Sequence, residues 1–279
     1  MRISGTTTLL GLIGTPVGHS GSPAMHNQAF ETLNLDYAYL AFDIKENQVR
    51  EFLDAARLLK MRGFNVTMPC KTETAKLVDE LSTEARIIGA VNTVVNENGK
   101  LTGYNTDGIG FVRSLKERGV EVKGKSITLM GGGGAGTAIF AQMALDGAKQ
   151  LHIFNRKGPR YDKLERMRAA LKLLAPECII SINDLDDEKK LYASIRESEI
   201  LINATNVGMK PKEQETLIKD ISVYREELVV ADIIYNPLET KMMRDARQAG
   251  VRTIIGGKGM LLWQGAEAFR LFTGKEMPI

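Results

Sequence analysis

Short apolar runs alternate with amphipathic stretches along almost the whole chain, and this alternation limits the fold more than any other feature. LLGLIG (from Leu9), YAYLAFDI, GFNVTM, SITLMG, LHIFN, ECIISI, EILINAT, ELVVADII and VRTIIGG read as strands. SPAMHNQAFETLNL, ENQVREFLDAARLLK, DGIGFVRSLKERG and GGAGTAIFAQMALDG read as helices, and GKGMLLWQGAEAFRLFTG as a last, strongly apolar one closed by Gly274. Ser22 is placed to cap the first helix, with Pro23 in its first turn. Asn98-Gly99 between two β-rich runs predicts a hairpin. Repeated βα units, with helices between the later strands, predict an α/β fold with a parallel, doubly wound sheet.

A length of 279 residues suggests two domains. No low-complexity linker or internal repeat marks a boundary, so the motifs must place it. Composition excludes several classes of protein. The chain is 43% hydrophobic and 25% charged, as ordinary globular proteins are, and its net charge of +3 is too small to argue for nucleic acid or a membrane surface. Cys70 and Cys178 form no CxxC, zinc spacing or disulfide framework. LLGLIG is ended by Thr15-Pro16, too soon for a signal sequence, and no run approaches the ~20 apolar residues of a membrane span. A cytoplasmic protein without a metal centre is expected.

SITLMGGGGAGTAIF holds G-x-G-x-x-G as Gly131, Gly133 and Gly136, after a strand and at the start of a helix. Glycine there lets a backbone approach a pyrophosphate at a helix N-terminus. The plainer reading is a flexible loop between a strand and a helix. An NAD site usually places an acidic residue about 20 residues further on. Here the next strand ends in Asn155-Arg156-Lys157, with Arg160 close behind and no carboxylate before Asp162. Guanidinium and ammonium groups suit a 2′-phosphate, so NADP is favoured over NAD. The same residues count against S-adenosylmethionine, and a solvated basic loop is the dull alternative.

The first hundred residues carry polar groups where loops should meet. These are Ser20 and Ser22 in GHSGSP, Thr67 and Lys71 in NVTMPCKTE, Asn92 in GAVNT, and Asn105 and Asp107 in GYNTDG. The inventory fits a small, anionic, polyhydroxylated ligand. Singly, each has an ordinary explanation: Ser22 and Asp107 as helix caps, Asn105 as a turn residue.

Nine motifs occur in one order over nearly the whole chain: GTPVGHSGSP, FNVTMPCK, GAVNT, GYNTDG, the glycine loop, NRK, NATNVGM, IIYNP and GMLLWQGA. In this the chain resembles the shikimate dehydrogenase family, including its quinate/shikimate dehydrogenase branch. The resemblance implies two domains. Residues 1–106 would form an α/β substrate domain completed by the C-terminal helix 258–279, and residues 107–257 a Rossmann-like, doubly wound dinucleotide-binding domain. It implies reduction of 3-dehydroshikimate to shikimate by a nicotinamide hydride, with Lys71 and Asp107 catalytic. Ser20, Ser22, Thr67, Asn92, Asp107, Tyr235 and Gln264 would bind substrate. Cofactor contacts would fall on Gly132, Gly133, Gly134, Ala135, Asn155, Arg156, Lys157, Thr205, Ile233 and Gly257. The implied partners are small molecules (shikimate, 3-dehydroshikimate, and quinate in the other branch), and a homodimer is admitted.

Gly21 stands between the serines where a larger residue is more usual, and Asn206 replaces a small or basic residue after NAT. The quinate-utilising branch often carries an aspartate where this chain has Gly158, while VGMKP and MLLWQGAE resemble that branch. NAD use and quinate oxidation therefore stay open.

Ketone reduction needs a proton donor within hydrogen-bond reach of the carbonyl. Lys71 can serve, with Asp107 as its carboxylate partner. Cys70 competes for the role, but none of His19, His26 and His152 forms a Cys-His motif with it. A free cysteine is most often a small buried hydrophobe. A dinucleotide-binding sensor without catalysis is the reading from another class; a placed lysine and aspartate speak against it.

Overall fold

The computed structural model describes residues 3–279, and the chain divides into two compact units. One runs up to Thr106 and resumes at Gln264–Ile279; the other is Asp107–Trp263.

The first unit contains β1 (Thr8–Gly14), α1 (Ser22–Thr32), β2 (Tyr37–Asp43), α2 (Val49–Leu58), β3 (Gly63–Val66) and α3 (Lys71–Leu77). After these come β4 (Glu80–Leu81), α4 (Thr83–Ile88), β5 (Thr93–Glu97) and β6 (Lys100–Tyr104). Its sheet has the order β2-β1-β3-β5-β6-β4, parallel from β2 to β3 and antiparallel across β3, β5 and β6. Asn98 and Gly99 both take positive φ, 55° and 92°, making the two-residue hairpin turn expected from the sequence. The core packs Ile13, Leu53, Phe64, Val66, Val94 and Leu101 with Cys70, all almost fully buried.

The second unit contains α5 (Asp107–Lys116), β7 (Ser126–Met130), α6 (Gly134–Leu145), β8 (Gln150–Asn155), α7 (Pro159–Leu174) and β9 (Ile179–Asp184). The chain continues through α8 (Glu188–Glu197), β10 (Ile200–Asn203), β11 (Val229–Asp232), α9 (Lys241–Gln248), β12 (Thr253–Ile255) and α10 (Lys258–Thr273). The sheet is parallel throughout, in the order β12-β11-β10-β7-β8-β9. The chain winds outward from β7 through β9, then returns to the other side of β7 for β10. A cleft forms at such a reversal, outside the carboxyl ends of the central strands.

Three local expectations need correction. Ser22 does not cap α1: it is the first helical residue, and its N–H donates to Ser20 Oγ at 3.2 Å. The helical pattern from Glu46 opens as a 3-10 turn, Glu46–Gln48, before α2. No α-helix lies between β10 and β11; that connection is irregular apart from a 3-10 turn at Ile221–Val223. The last helix, α10, crosses the division between the two units at Gln264. Its first residues pack on α5, where a Cβ on Gly259 would lie 2.8 Å from Ser114 Cβ and Arg113 sits 4.0 Å over the Trp263 ring. Its later residues pack in the first unit, where Arg62 Nε donates to Phe272 O at 2.9 Å.

Candidate active site

In the second unit a cleft of about 790 Å³ opens at the carboxyl edge of β7, β8, β10 and β11. Its floor is the glycine loop. Gly131 has φ +107°, and a Cβ there would meet the Ala204 carbonyl oxygen at 2.6 Å. A Cβ on Gly136 would strike the Gly131 carbonyl, so glycine at both positions lets α6 start against the strand end. Gly133 and Gly134 are different, because a Cβ on either would project into open space. Gly133 precedes α6 without a side-chain cap. Bare backbone at a helix start, facing an open cleft, suits a pyrophosphate. Gly136→Ala should therefore cost about 1–3 kcal/mol of stability and weaken dinucleotide binding; thermal melting and calorimetric titration read the two effects.

β8 braces this loop. Gly131 N–H donates to Phe154 O at 2.8 Å, and Gly132 N–H to Asn155 Oδ1 at 3.0 Å. The Asn155 amide nitrogen donates to Arg156 O at 2.7 Å. Asn155 thus lines the cleft while holding its loop in shape. Arg156 and Lys157 extend into solvent from the same edge, and Arg160 lines the cleft beside them. The sequence shows no acidic residue near this loop, yet the sheet supplies two. Asp184 lies opposite Asn155 in the β8–β9 register. Lys157 Nζ is 3.8 Å from Asp184 Oδ2, and Arg156 Nε is 3.6 Å from Asp186 Oδ1. Such long, exposed ion pairs are weak and readily displaced by an arriving phosphate.

The opposite wall comes from residues after β10 and β11. Thr205, Asn206, Val207, Ile233 and Tyr235 line the cleft, as do Met209 and Lys212. Of these, Thr205, Ile233 and Tyr235 were expected as site residues; Asn206, Val207, Met209 and Lys212 were not, although the first three fall in the NATNVGM motif. Gly257 is outside the lining; a Cβ there would collide with the Ile233 carbonyl, so it shapes the wall from behind.

In the first unit the polar residues gather at one edge because of strand direction. Ser20 and Ser22 follow the carboxyl end of β1, and Thr67 and Lys71 follow that of β3. β5 is antiparallel to β3, so Asn92, just before it, lies at the same edge. β6 reverses again and brings Asn105 and Thr106 there. Backbone bonds join these segments: Thr67 N to Ile13 O at 2.8 Å, Thr15 N to Met68 O at 3.0 Å, Val91 N to Lys71 O at 3.0 Å. Asn92 is 3% exposed; its Oδ1 accepts from Thr106 N at 2.8 Å and its Nδ2 donates to Thr106 Oγ1 at 3.0 Å. Thr106 Oγ1 in turn donates to Gln264 O at 2.9 Å, which anchors that residue at this edge. Asp107 is the next residue and the first of α5, while Tyr235 belongs to the cleft wall of the second unit.

Cys70 faces the core. It is fully buried, its thiol donates to Ile44 O at 3.2 Å, and burial, with a smaller contribution from Glu46, raises its pKa. A nucleophilic thiol would need the opposite shift. Among the described residues, no three His, Cys, Asp or Glu side chains are grouped to hold a metal.

A glycine cleft at the reversal of a doubly wound sheet in one unit, and a polar carboxyl edge in the other, define an α/β protein with sites suited to a dinucleotide and to a small polar ligand. The comparisons are more specific. The family model "Shikimate dehydrogenase substrate binding domain" matches residues 12–94, and "Shikimate 5'-dehydrogenase C-terminal domain" matches residues 257–279. The chain is 47% identical over 278 residues to "Shikimate dehydrogenase (NADP(+))" of Listeria monocytogenes serotype 4b (strain F2365), covering 100% of this chain and 95% of that one. It is 49% identical over 280 residues to the protein of the same name from Streptococcus pyogenes serotype M28 (strain MGAS6180), covering 100% and 96%. The crystal structure of shikimate 5-dehydrogenase from Listeria monocytogenes in complex with shikimate and NAD is similar with a TM-score of 0.95, at 47% identity and with 100% and 96% of the chains covered. This chain belongs to the shikimate dehydrogenase family.

Proposed function

We propose that the chain is a shikimate dehydrogenase, a reversible NADP-dependent oxidoreductase that reduces 3-dehydroshikimate to shikimate. The observation that carries this reading is the pairing, in one member of the family, of a basic-ended dinucleotide cleft with a polar carboxyl edge bearing Lys71.

The glycine loop, Thr205 and Ile233 would hold the dinucleotide, with Arg156, Lys157 and Arg160 about its 2′-phosphate. The bound nicotinamide supplies or takes up the hydride. Ser20, Ser22, Thr67 and Asn92 hold the carboxylate and hydroxyls of the substrate, with Tyr235 and Gln264 contributing from their own segments. The Lys71 ammonium gives its proton to the carbonyl oxygen as the hydride reaches the carbon, and takes it back as free amine in oxidation. Asp107 binds a substrate hydroxyl and is the carboxylate partner of the lysine. The reading sets the enzyme in the aromatic (chorismate) pathway, with the cytoplasm as its expected compartment. A homodimer is the assembly the family admits, and sedimentation of the purified chain tests for it.

A second reading, NAD use together with oxidation of quinate, is favoured by one observation: Asp184 and Asp186 beside the basic pair. They offer acceptors to a free ribose hydroxyl and repel a phosphate. The test is a matrix of shikimate or quinate with NAD or NADP, followed by the absorbance of reduced nicotinamide. Turnover of shikimate with NADP alone supports the first reading; turnover of both acids with NAD supports the second. Binding of dinucleotide without turnover of either acid would make the chain a sensor. Arg156→Ala is expected to raise the Michaelis constant for NADP about tenfold or more, on the scale of a charge-assisted phosphate contact, and that for NAD far less. Equal losses would mean that Arg156 does not read the phosphate.

A further inference from the structure

We infer that Asp232 is a positioning residue for the dinucleotide, joining two walls of the cleft through Asn203. The inference rests on the dinucleotide reading above.

Asp232 closes β11 and is 1% exposed. Asn203 closes the neighbouring β10 directly opposite it, and is 2% exposed. Asp232 Oδ1 accepts Ile234 N–H at 3.0 Å, and Oδ2 accepts the Thr240 hydroxyl at 2.8 Å. Asn203 Nδ2 donates to the carboxylate at 3.1 and 3.2 Å and to Val207 O at 3.1 Å. Burial pushes the Asp232 carboxyl up, and these donors oppose that shift.

A buried carboxylate is costly, and an amide would fill the same space. What the amide lacks is direction. An ionised carboxylate only accepts, so the Asn203 amide must point its nitrogen toward Asp232 and its oxygen away. That oxygen then receives Thr205 N–H at 3.1 Å and the Thr205 hydroxyl at 2.7 Å, and Thr205 Oγ1 accepts Val207 N–H at 3.1 Å. The hydroxyl proton of Thr205 is thereby committed, and the Thr205–Val207 wall is fixed. On the other side, the bond to Ile234 N–H holds the Ile233–Tyr235 wall. Both segments line the cleft, while Asp232 and Asn203 lie beneath it. The charge sets the cleft's shape without touching the ligand.

Asp232→Asn changes almost no volume but removes the charge and replaces one of the two oxygens that receive the Asn203 amide by a second N–H donor. Asn203 must give up one of its two bonds to this side chain or turn, and turning it points a donor at Thr205 N–H. Calorimetric titration with NADP and NAD should show affinity falling about tenfold or more, the scale of a lost hydrogen bond to a charged group. The Michaelis constant for shikimate should change less than about twofold, because the amide oxygen still receives Ile234 N–H and keeps the segment of Tyr235 in place, a separation that general loosening of the fold would not produce. Moving the charge tests the route. In the double variant Asn203→Asp/Asp232→Asn, the new amide donates to the new carboxylate, which accepts from Thr205 as before. Dinucleotide affinity should recover to within about threefold of wild type, the remaining loss being the Val207 carbonyl left without its donor and the Thr240 hydroxyl left without its acceptor; each single variant stays weak.

Unchanged dinucleotide affinity in Asp232→Asn, or a double variant no tighter than the singles, overturns the inference alone. A wild-type protein that binds neither dinucleotide overturns the functional reading and this inference together. Should the single variant not fold, the double variant still decides: dinucleotide affinity near wild type supports the route, and a loss of about tenfold or more refutes it.

Discussion

Replacing Lys71 by alanine should lower turnover by roughly 10²–10⁴-fold, the range for removing a positioned general acid, and leave dinucleotide affinity within about twofold. The two effects separate because the residues lie in different units. Lys71 begins α3 in the first unit, whereas the dinucleotide cleft is built wholly from the second. The neighbouring residue is the control. Cys70→Ala should keep most activity, because the thiol is buried in the core, donates to the Ile44 carbonyl and has its pKa raised by burial. Steady-state rates with shikimate, paired with titration of NADP, decide the matter. A Lys71→Ala enzyme that turns over normally, or a Cys70→Ala enzyme that does not, would reverse the roles given to these adjacent residues.

The second large effect concerns stability toward acid. His26, on α1, is 1% exposed and stacks on Tyr39 with centroids 4.4 Å apart and planes 2° from parallel. Phe30, Phe269 and Phe272 surround it, and its Nδ1 has no hydrogen-bond partner. Burial lowers its pKa from 6.5 to about 3. Above pH 6.5 the imidazole is neutral whether the chain is folded or not, and contributes no pH dependence. Between pH 6.5 and about 3 the unfolded chain takes up a proton that the folded chain refuses. Stability therefore falls by up to about 1.4 kcal/mol per pH unit from this group alone, or about 4–5 kcal/mol across the window. His26→Phe fills the same aromatic stack without a titrating group. Urea unfolding at pH 6.5 and pH 4.5 should show the native protein losing about 2–3 kcal/mol more than the variant. Equal losses would mean that His26 is protonated in the folded state, or that the unit opens before it titrates.

The residues that act locally were legible in the sequence. Asn98-Gly99 turned where expected because both residues tolerate positive φ, and that preference is internal to the turn. Strands and helices of the second unit followed their apolar periodicity, and the glycine loop fell between β7 and α6 because its requirement for bare backbone is written in the residues themselves. Ser22 failed as a cap because Gly21 precedes the helix and Ser20 supplies the hydroxyl, a choice between near-equivalent side chains that periodicity does not make. The break between β10 and β11 was missed because an irregular segment can keep a mixed polar and apolar composition while forming no helix.

By itself, then, the sequence determined the α/β alternation, the site of the glycine loop, the basic end of the next strand, and the order of motifs that marks the family. Tertiary structure alone decided which distant residues meet. Asp184 comes beside Asn155, and Asp232 beside Asn203, through the register of parallel strands many residues apart. It also decided that adjacent Cys70 and Lys71 have opposite fates, one in the core and one at the polar edge. The physical reason is common to all three. Hydrogen-bond register and burial belong to the assembled sheet, where one strand's end becomes another strand's surroundings, and no local preference of the chain records which strand that will be.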